Sequence, residues 1–164
     1  MSWIWVSIGS NINREHNTRA AVSALRTVFG DLKLSPVYET EAVGFDGDPF
    51  YNLVAGFSTV LTAQETTAIM KDIEAFNGRQ QESPKFASRT LDIDLLTYGN
   101  SVIEQDGLQI PRDEILKYAF VLKPLADVAP DECHPVDGRS YLELWNNFQE
   151  KQSLKEIAFD WKNG

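Results

Sequence analysis

The stretch Arg89-Thr90-Leu91-Asp92-Ile93-Asp94-Leu95-Leu96 constrains this chain more than any other. Its apolar residues are those of a buried strand, yet two aspartates interrupt them. Side chains alternate faces along a strand, so Leu91, Ile93 and Leu95 share one face and Asp92 and Asp94 the other. Two positions along a strand is about 7 Å at the backbone. Carboxylates so placed repel each other and lose hydration unless positive charge lies between them. A hard divalent cation is the natural partner, and Mg²⁺ takes one or two carboxylates together with substrate phosphates. Two such ions roughly 3.5–4 Å apart suit a two-metal phosphoryl-transfer site. The competing reading is a solvated strand face with two surface aspartates.

Upstream, Asn77 through Arg89 form a long polar segment. Loops of this length are usually lids or binding segments. This one carries Arg79, Lys85 and Arg89 against a single acid, Glu82, in a chain of net charge −9. Arginine grips phosphate oxygens in pairs and lysine acts as a point charge, so these cations beside a carboxylate pair suit a polyphosphate. Without a bound metal the same segment reads as a solvated linker.

The acidic balance argues against nonspecific nucleic-acid binding and against anionic membrane surfaces, both of which need a basic face. The single Cys133 excludes an intramolecular disulfide, and it forms no zinc-spaced set with His134 or His16. The start, Met1-Ser2-Trp3-Ile4-Trp5-Val6, has neither a basic n-region nor a long apolar run, so the expectation is a cytoplasmic chain without a membrane span. At 164 residues, one domain over 1–164 is the simplest organisation.

Alternation over 2–8 predicts a strand with Ile4, Val6 and Ile8 on one face, broken at Gly9-Ser10-Asn11. A helix over 14–29 carries Val22, Leu25, Val28 and Phe29 on one stripe and stops at Gly30. Residues 32–39 read as a strand bent or edged by Pro36. A turn-rich loop over 41–49 leads to a third strand over 51–60. Thr62-Ala63-Gln64-Glu65 is a capping box, and Ile69, Met70, Ile73 and Phe76 follow as a buried stripe ending at Asn77-Gly78. After the aspartate strand, 101–110 predicts a hairpin turning at Gln105-Asp106-Gly107. Helices are expected over 118–128 and 139–148, with 149–164 as a terminal helix or tail. This order is the split-βαβ, ferredoxin-like plan: an α+β fold with helices on an antiparallel sheet and a C-terminal helical extension.

Several strings together resemble one family. Arg79 and Arg89–Leu96 resemble the signature of the 6-hydroxymethyl-7,8-dihydropterin pyrophosphokinases of folate biosynthesis. Ser7-Ile8-Gly9-Ser10-Asn11, Tyr38-Glu39-Thr40 with Val43-Gly44, and Phe50-Tyr51-Asn52 are collinear with further motifs of that family. So are Ile110-Pro111 and Phe120-Val121-Leu122-Lys123-Pro124-Leu125. The resemblance covers roughly residues 2–148. It implies an ATP-dependent diphosphotransferase whose partners are two small molecules, ATP and the dihydropterin; a monomer is the expectation. It implies two Mg²⁺ ions on Asp92 and Asp94, with Arg79 and Arg89 completing the catalytic set. It implies ATP contacts from Glu74, Arg79, Lys85, Arg89, Leu95, Arg112, Lys117 and Tyr118. The pterin would lie among Thr40, Val43, Phe50, Asn52 and Phe120. Asn52 would pair with the heterocycle's donor and acceptor edge, and the two phenylalanines would flank its faces. Glu74 sits near a helix C-terminus, unfavourable for a negative charge, which suggests a contact with the nucleotide or Arg79.

The chain departs from the family at four places. Arg112 stands where the family has histidine, and Tyr118, next to Lys117, stands where it has arginine. Gln81 replaces a loop arginine, and Phe86-Ala87-Ser88 replaces Trp-Gly-Pro. These substitutions leave an alternative open: a diverged member that binds a pterin or nucleotide without efficient turnover.

Overall fold

Ile4, Val6 and Ile8 alternate with Trp5 along β1 (Ser2–Ser10), and both sets are buried. A strand apolar on both sides belongs inside a sheet covered on two faces. In the computed structural model, which describes residues 1–41, 47–77, 91–149 and 153–161, β1 holds that position.

The chain continues through α1 (Arg14–Phe29), β2 (Lys33–Leu34), β3 (Val37–Thr40), β4 (Phe50–Thr59), α2 (Ala63–Phe76) and β5 (Asp92–Tyr98). The sheet order is β5-β1-β4-β3-β8, where β8 is Leu154–Ile157, and β2 pairs with β4 beside β3. Every pairing is antiparallel. The predicted strand over 32–39 is interrupted at Ser35-Pro36, because proline has no N–H to give to a ladder. Counting β2 and β3 as one strand, the sheet reads fourth, first, third, second. That is the ferredoxin-like arrangement expected from the element order.

Two apolar layers cover the sheet. On one face Ile4, Val6, Ile8, Ile93 and Leu95 meet Val22 and Leu25 of α1 and Met70 and Ile73 of α2. On the other, Trp5, Val54 and Leu96 meet α3 (Glu114–Lys117), α4 (Ala119–Val128) and α5 (Tyr141–Asn146). The short α3 has no counterpart among the predicted helices. A hairpin, β6 (Ile103–Gln105) and β7 (Leu108–Ile110), turns at Asp106 (φ 54°) and Gly107 (φ 79°), the left-handed pair a tight primed turn requires.

The capping box forms as predicted. The Glu65 N–H donates to Thr62 Oγ1 and the Thr62 N–H to Glu65 Oε1.

Three expectations need correction. Val28 is exposed, because in the last turn of α1 it is Phe29 that faces the sheet, stacked on Phe57 at 4.2 Å. Phe76 is 91% exposed. The buried line of α2 runs through Thr66, Met70, Ile73 and Glu74, and Phe76 lies about 200° around the helix from Glu74. The stretch after 148 contains a strand rather than a helix. Its backbone pairs with the edge of β3, which would otherwise leave donors and acceptors unpaired. Among the described residues no helix is long and apolar enough to cross a membrane.

Candidate active site

One cross-strand rung organises the site. Asp92 of β5 stands opposite Gly9 of β1, Gly9 opposite Asn52 of β4, and Asn52 opposite Tyr38 of β3. Directly opposed residues share a face, and neighbouring strands lie about 4.8 Å apart. Asp92, Gly9, Asn52 and Tyr38 therefore line up across the face that α3 and α4 cover. One step along, Asp94 stands opposite Ser7 and Val54. The alternation read from the sequence holds: Leu91, Ile93 and Leu95 enter the α1–α2 core, and the aspartates face the other way.

At the aspartate end, charges crowd. Arg112 Nη1 lies 3.9 Å from Asp94 Oδ1, and Arg112 Nη2 donates to Glu114 Oε1 at 2.5 Å. The Arg112 N–H donates to the Leu96 carbonyl at 2.9 Å, fixing the arginine to β5. Burial, then the neighbouring Asp92, push the Asp94 carboxyl up to about 7; Arg112 opposes them, and Glu114 and Glu74 add to the rise. Burial works against the Arg112 charge, yet Asp94 and then Glu114 hold its guanidinium above the usual range. The Asp94 side chain keeps 27% of its exposure, so a cation from solvent can reach it. Two hard carboxylates in mutual repulsion on one face fit Mg²⁺, which removes that repulsion on binding. Among the described residues no three His, Cys, Asp or Glu side chains are placed to hold a metal ion together, so substrate oxygens and water would complete such a shell.

Glu74 is buried at the far end of α2, and its carboxylate accepts the Ile93 N–H at 2.7 Å. It thus grips the strand backbone between the two aspartates, a contact the dipole argument did not anticipate.

At the other end, Asn52 Nδ2 donates to Thr40 Oγ1 at 2.6 Å, and both residues are buried. A Cβ on Gly9 would lie 2.9 Å from Asn52 Oδ1 and 3.8 Å from the Phe50 ring. Glycine at this position therefore leaves the floor open between amide and carboxylates. Gly9 lies within a motif the sequence singled out, but its role becomes visible only with the register.

Phe120 lies in the first turn of α4 and stacks on Tyr118 with ring centroids 5.1 Å apart. Lys117 pairs with Asp113 at 2.7 Å. Lys117 and Tyr118 line a cavity of about 550 Å³ with Leu116, Leu122, Arg139 and Phe148. Leu95 points into the α1–α2 core, on the face away from the aspartates. Val43, Arg79, Lys85 and Arg89 lie outside the described residues, as do Gln81 and Phe86. Glu114 was missed by sequence reasoning, since nothing in its local pattern marks a contact with Arg112.

The fold is shared with solved structures. The wild-type HPPK-DHPS of Plasmodium falciparum superposes with a TM-score of 0.73 at 14% identity, over 90% of this chain and 44% of that one. The chain is 32% identical to the folic acid synthesis protein fol1 of Pneumocystis carinii, spanning 98% of its own length but 22% of that protein. It is 31% identical to the 2-amino-4-hydroxy-6-hydroxymethyldihydropteridine pyrophosphokinase of Aquifex aeolicus, over 96% of this chain and 97% of that protein. The family model for 7,8-dihydro-6-hydroxymethylpterin-pyrophosphokinase matches residues 5–130, which include every residue of the rung. With aspartates, glycine and amide in one register and near-full-length similarity on both sides, the chain belongs to the 7,8-dihydro-6-hydroxymethylpterin-pyrophosphokinase family.

Proposed function

We propose that this chain transfers diphosphate from ATP to 6-hydroxymethyl-7,8-dihydropterin, releasing AMP and the pterin diphosphate. The observation that carries the reading is the rung itself. It sets a carboxylate pair and a hydrogen-bonded amide on one face of one sheet, with only a glycine between them.

The Asn52 amide and Thr40 hydroxyl, already paired, offer a donor and acceptor edge to a flat heterocycle. Phe50 and Phe120 supply its aromatic faces. The family resemblance adds Val43 to the pterin contacts. The acceptor hydroxyl then points over Gly9 toward the aspartates. Its oxygen forms a bond to the β-phosphorus of ATP, the bond from that phosphorus to the AMP oxygen breaks in line, and the hydroxyl proton passes to solvent. Two Mg²⁺ ions held by Asp92 and Asp94 would neutralise phosphate charge and lower the pKa of the acceptor hydroxyl. Glu74 keeps the strand that carries both aspartates in place. Arg112, beside Asp94, meets the nucleotide's negative charge, with Lys117 and Tyr118 on the nucleotide side, while Leu95 backs the aspartate strand from the core. Arg79, Lys85 and Arg89 of the segment before β5 neutralise charge that develops in a loose transition state and exclude water. The enzyme works on small molecules in the cytoplasm, as a monomer.

The test is purified protein with ATP, Mg²⁺ and the dihydropterin. AMP should form only when the pterin is present. Saturable pterin binding with no AMP would overturn transfer and leave a binding protein.

A further inference from the structure

The segment after residue 148 lies beyond the family match over 5–130, yet it is built into the sheet that carries the site. β8 pairs with β3 along its whole length, from Val37 opposite Ile157 to Thr40 opposite Leu154. Thr40 is the residue whose hydroxyl accepts the Asn52 amide. On the site face, the Tyr38 hydroxyl donates to Asp127 of α4 and lies 3.5 Å from the Glu156 carboxylate of β8, setting β8 beside the helix layer.

The tail then turns behind the sheet. Phe159 meets the Tyr51 ring edge-on, with centroids 5.8 Å apart and planes at 89°. Arg19 of α1 donates from Nε to the Asp160 carbonyl at 2.6 Å and lies over the Phe159 ring. Arg14 also lies over the Tyr51 ring, 3.9 Å from its centroid, and bonds the Pro49 carbonyl and the Glu39 carboxylate. Tyr51 sits between Phe50 and Asn52 in β4. Strand alternation means that clamping Tyr51 on the back fixes its two neighbours on the front.

We infer that the C-terminal segment, β8 with Phe159, is a positioning element for the heterocycle end of the site. It holds β3 at Thr40 and β4 at Tyr51 so that the Asn52 amide keeps its angle. The inference rests on the proposed pterin site, and it separates the two substrates. The aspartate end hangs on β5 and β1 at the opposite edge of the sheet, and β8 pairs with neither strand.

The experiment uses the full chain with Phe159→Ala and, separately, the α1 variant Arg19→Ala, which removes the contact on the Asp160 carbonyl. KM for the pterin and its Kd by titration should rise about tenfold, whereas KM for ATP and kcat stay within about twofold. Phe159→Tyr, which keeps the ring, should restore pterin affinity. Circular dichroism and thermal melts establish that each variant is folded. Pterin affinity unchanged in both folded variants, or KM values for both substrates rising together, would overturn the inference. Wild-type protein that neither binds the pterin nor makes AMP would instead overturn the pterin site on which it rests.

Discussion

At one end of the rung a neutral amide bonds a neutral hydroxyl at 2.6 Å; at the other, three carboxylates, Asp92, Asp94 and Glu114, lie around the guanidinium of Arg112 among the described residues. The neutral end is settled before any ligand arrives. A buried hydrogen bond between neutral groups costs little to keep, and it fixes an orientation. The charged end is unsettled. Burial and neighbouring carboxylates raise the cost of charge on Asp94, Arg112 lowers it, and an added cation would lower it further. On the proposed function the two ends divide the labour: one would recognise a shape, and the other would be conditional on an ion.

The largest effect tests the conditional half. Asp94→Asn should lower kcat on the order of 10²–10³-fold at saturating Mg²⁺, because it removes charge from the reacting centre. The thermal midpoint without metal should hold or rise, since one repulsion is gone. Near-wild-type AMP production by the variant would mean that the carboxylate pair does not hold the metal.

Next comes the settled half. Asn52→Ala should weaken pterin binding by about 1–3 kcal/mol, leaving Thr40 without its donor and the ligand edge unpaired. ATP binding should be unaffected. Equal losses for both ligands in calorimetric titration would erase the distinction between the two halves.

Gly9→Ala probes the ground between them. The new Cβ would press on the Asn52 oxygen at 2.9 Å, and overpacking of this kind costs about 1–3 kcal/mol. The damage should fall on pterin affinity more than on ATP affinity. A pterin Kd equal to wild type would show that the amide gives way freely.

The smallest effect is a slope. Asp94, held near 7 in the fold against about 3.9 in an unfolded chain, keeps its proton longer when folded. The folded state therefore binds more protons between those values, and stability must fall as pH rises through that window. Metal-free protein should lose a few degrees of thermal midpoint between about pH 5 and 8, and Mg²⁺ should recover them at the upper end. Asp94→Asn should flatten the slope; a slope that persists in it would assign the titration to another group.

How much of this was legible depended on the range of the interaction. The faces of Asp92 and Asp94, the bounds of α1 and the capping box at Thr62 are matters of period and of neighbours within one turn. These a sequence carries openly. The Asn52–Thr40 bond, the Arg112–Asp94 pair and the Glu74 grip on Ile93 join positions 12, 18 and 19 residues apart, and no local pattern encodes them. The family resemblance supplied Asn52, Thr40 and Arg112 as candidates, but it supplied neither their partners nor the service of Gly9. β8 misled for a different reason. Leu154 and Ile157 are spaced three apart, which suits a helix, and only the waiting edge of β3 makes the segment a strand.

The pairing of β1 with β5 shifts register between Trp5 and Val6, where Leu95 stands opposite Val6 and Thr97 opposite Trp5. Leu96 is the extra residue. A regular ladder can slide by two residues and still keep every side chain on its own face. This one cannot, because the irregular step fits at a single place, as a notch admits one tooth. Asp92 is thereby indexed to Gly9, and through Gly9 to Asn52. The Leu96 carbonyl at the notch also receives the Arg112 N–H, so the arginine is indexed by the same step. The distance from the proposed ion end to the proposed heterocycle end is thus written in backbone geometry. Side-chain changes at either end can alter what is bound there, but not how far apart the two ends stand.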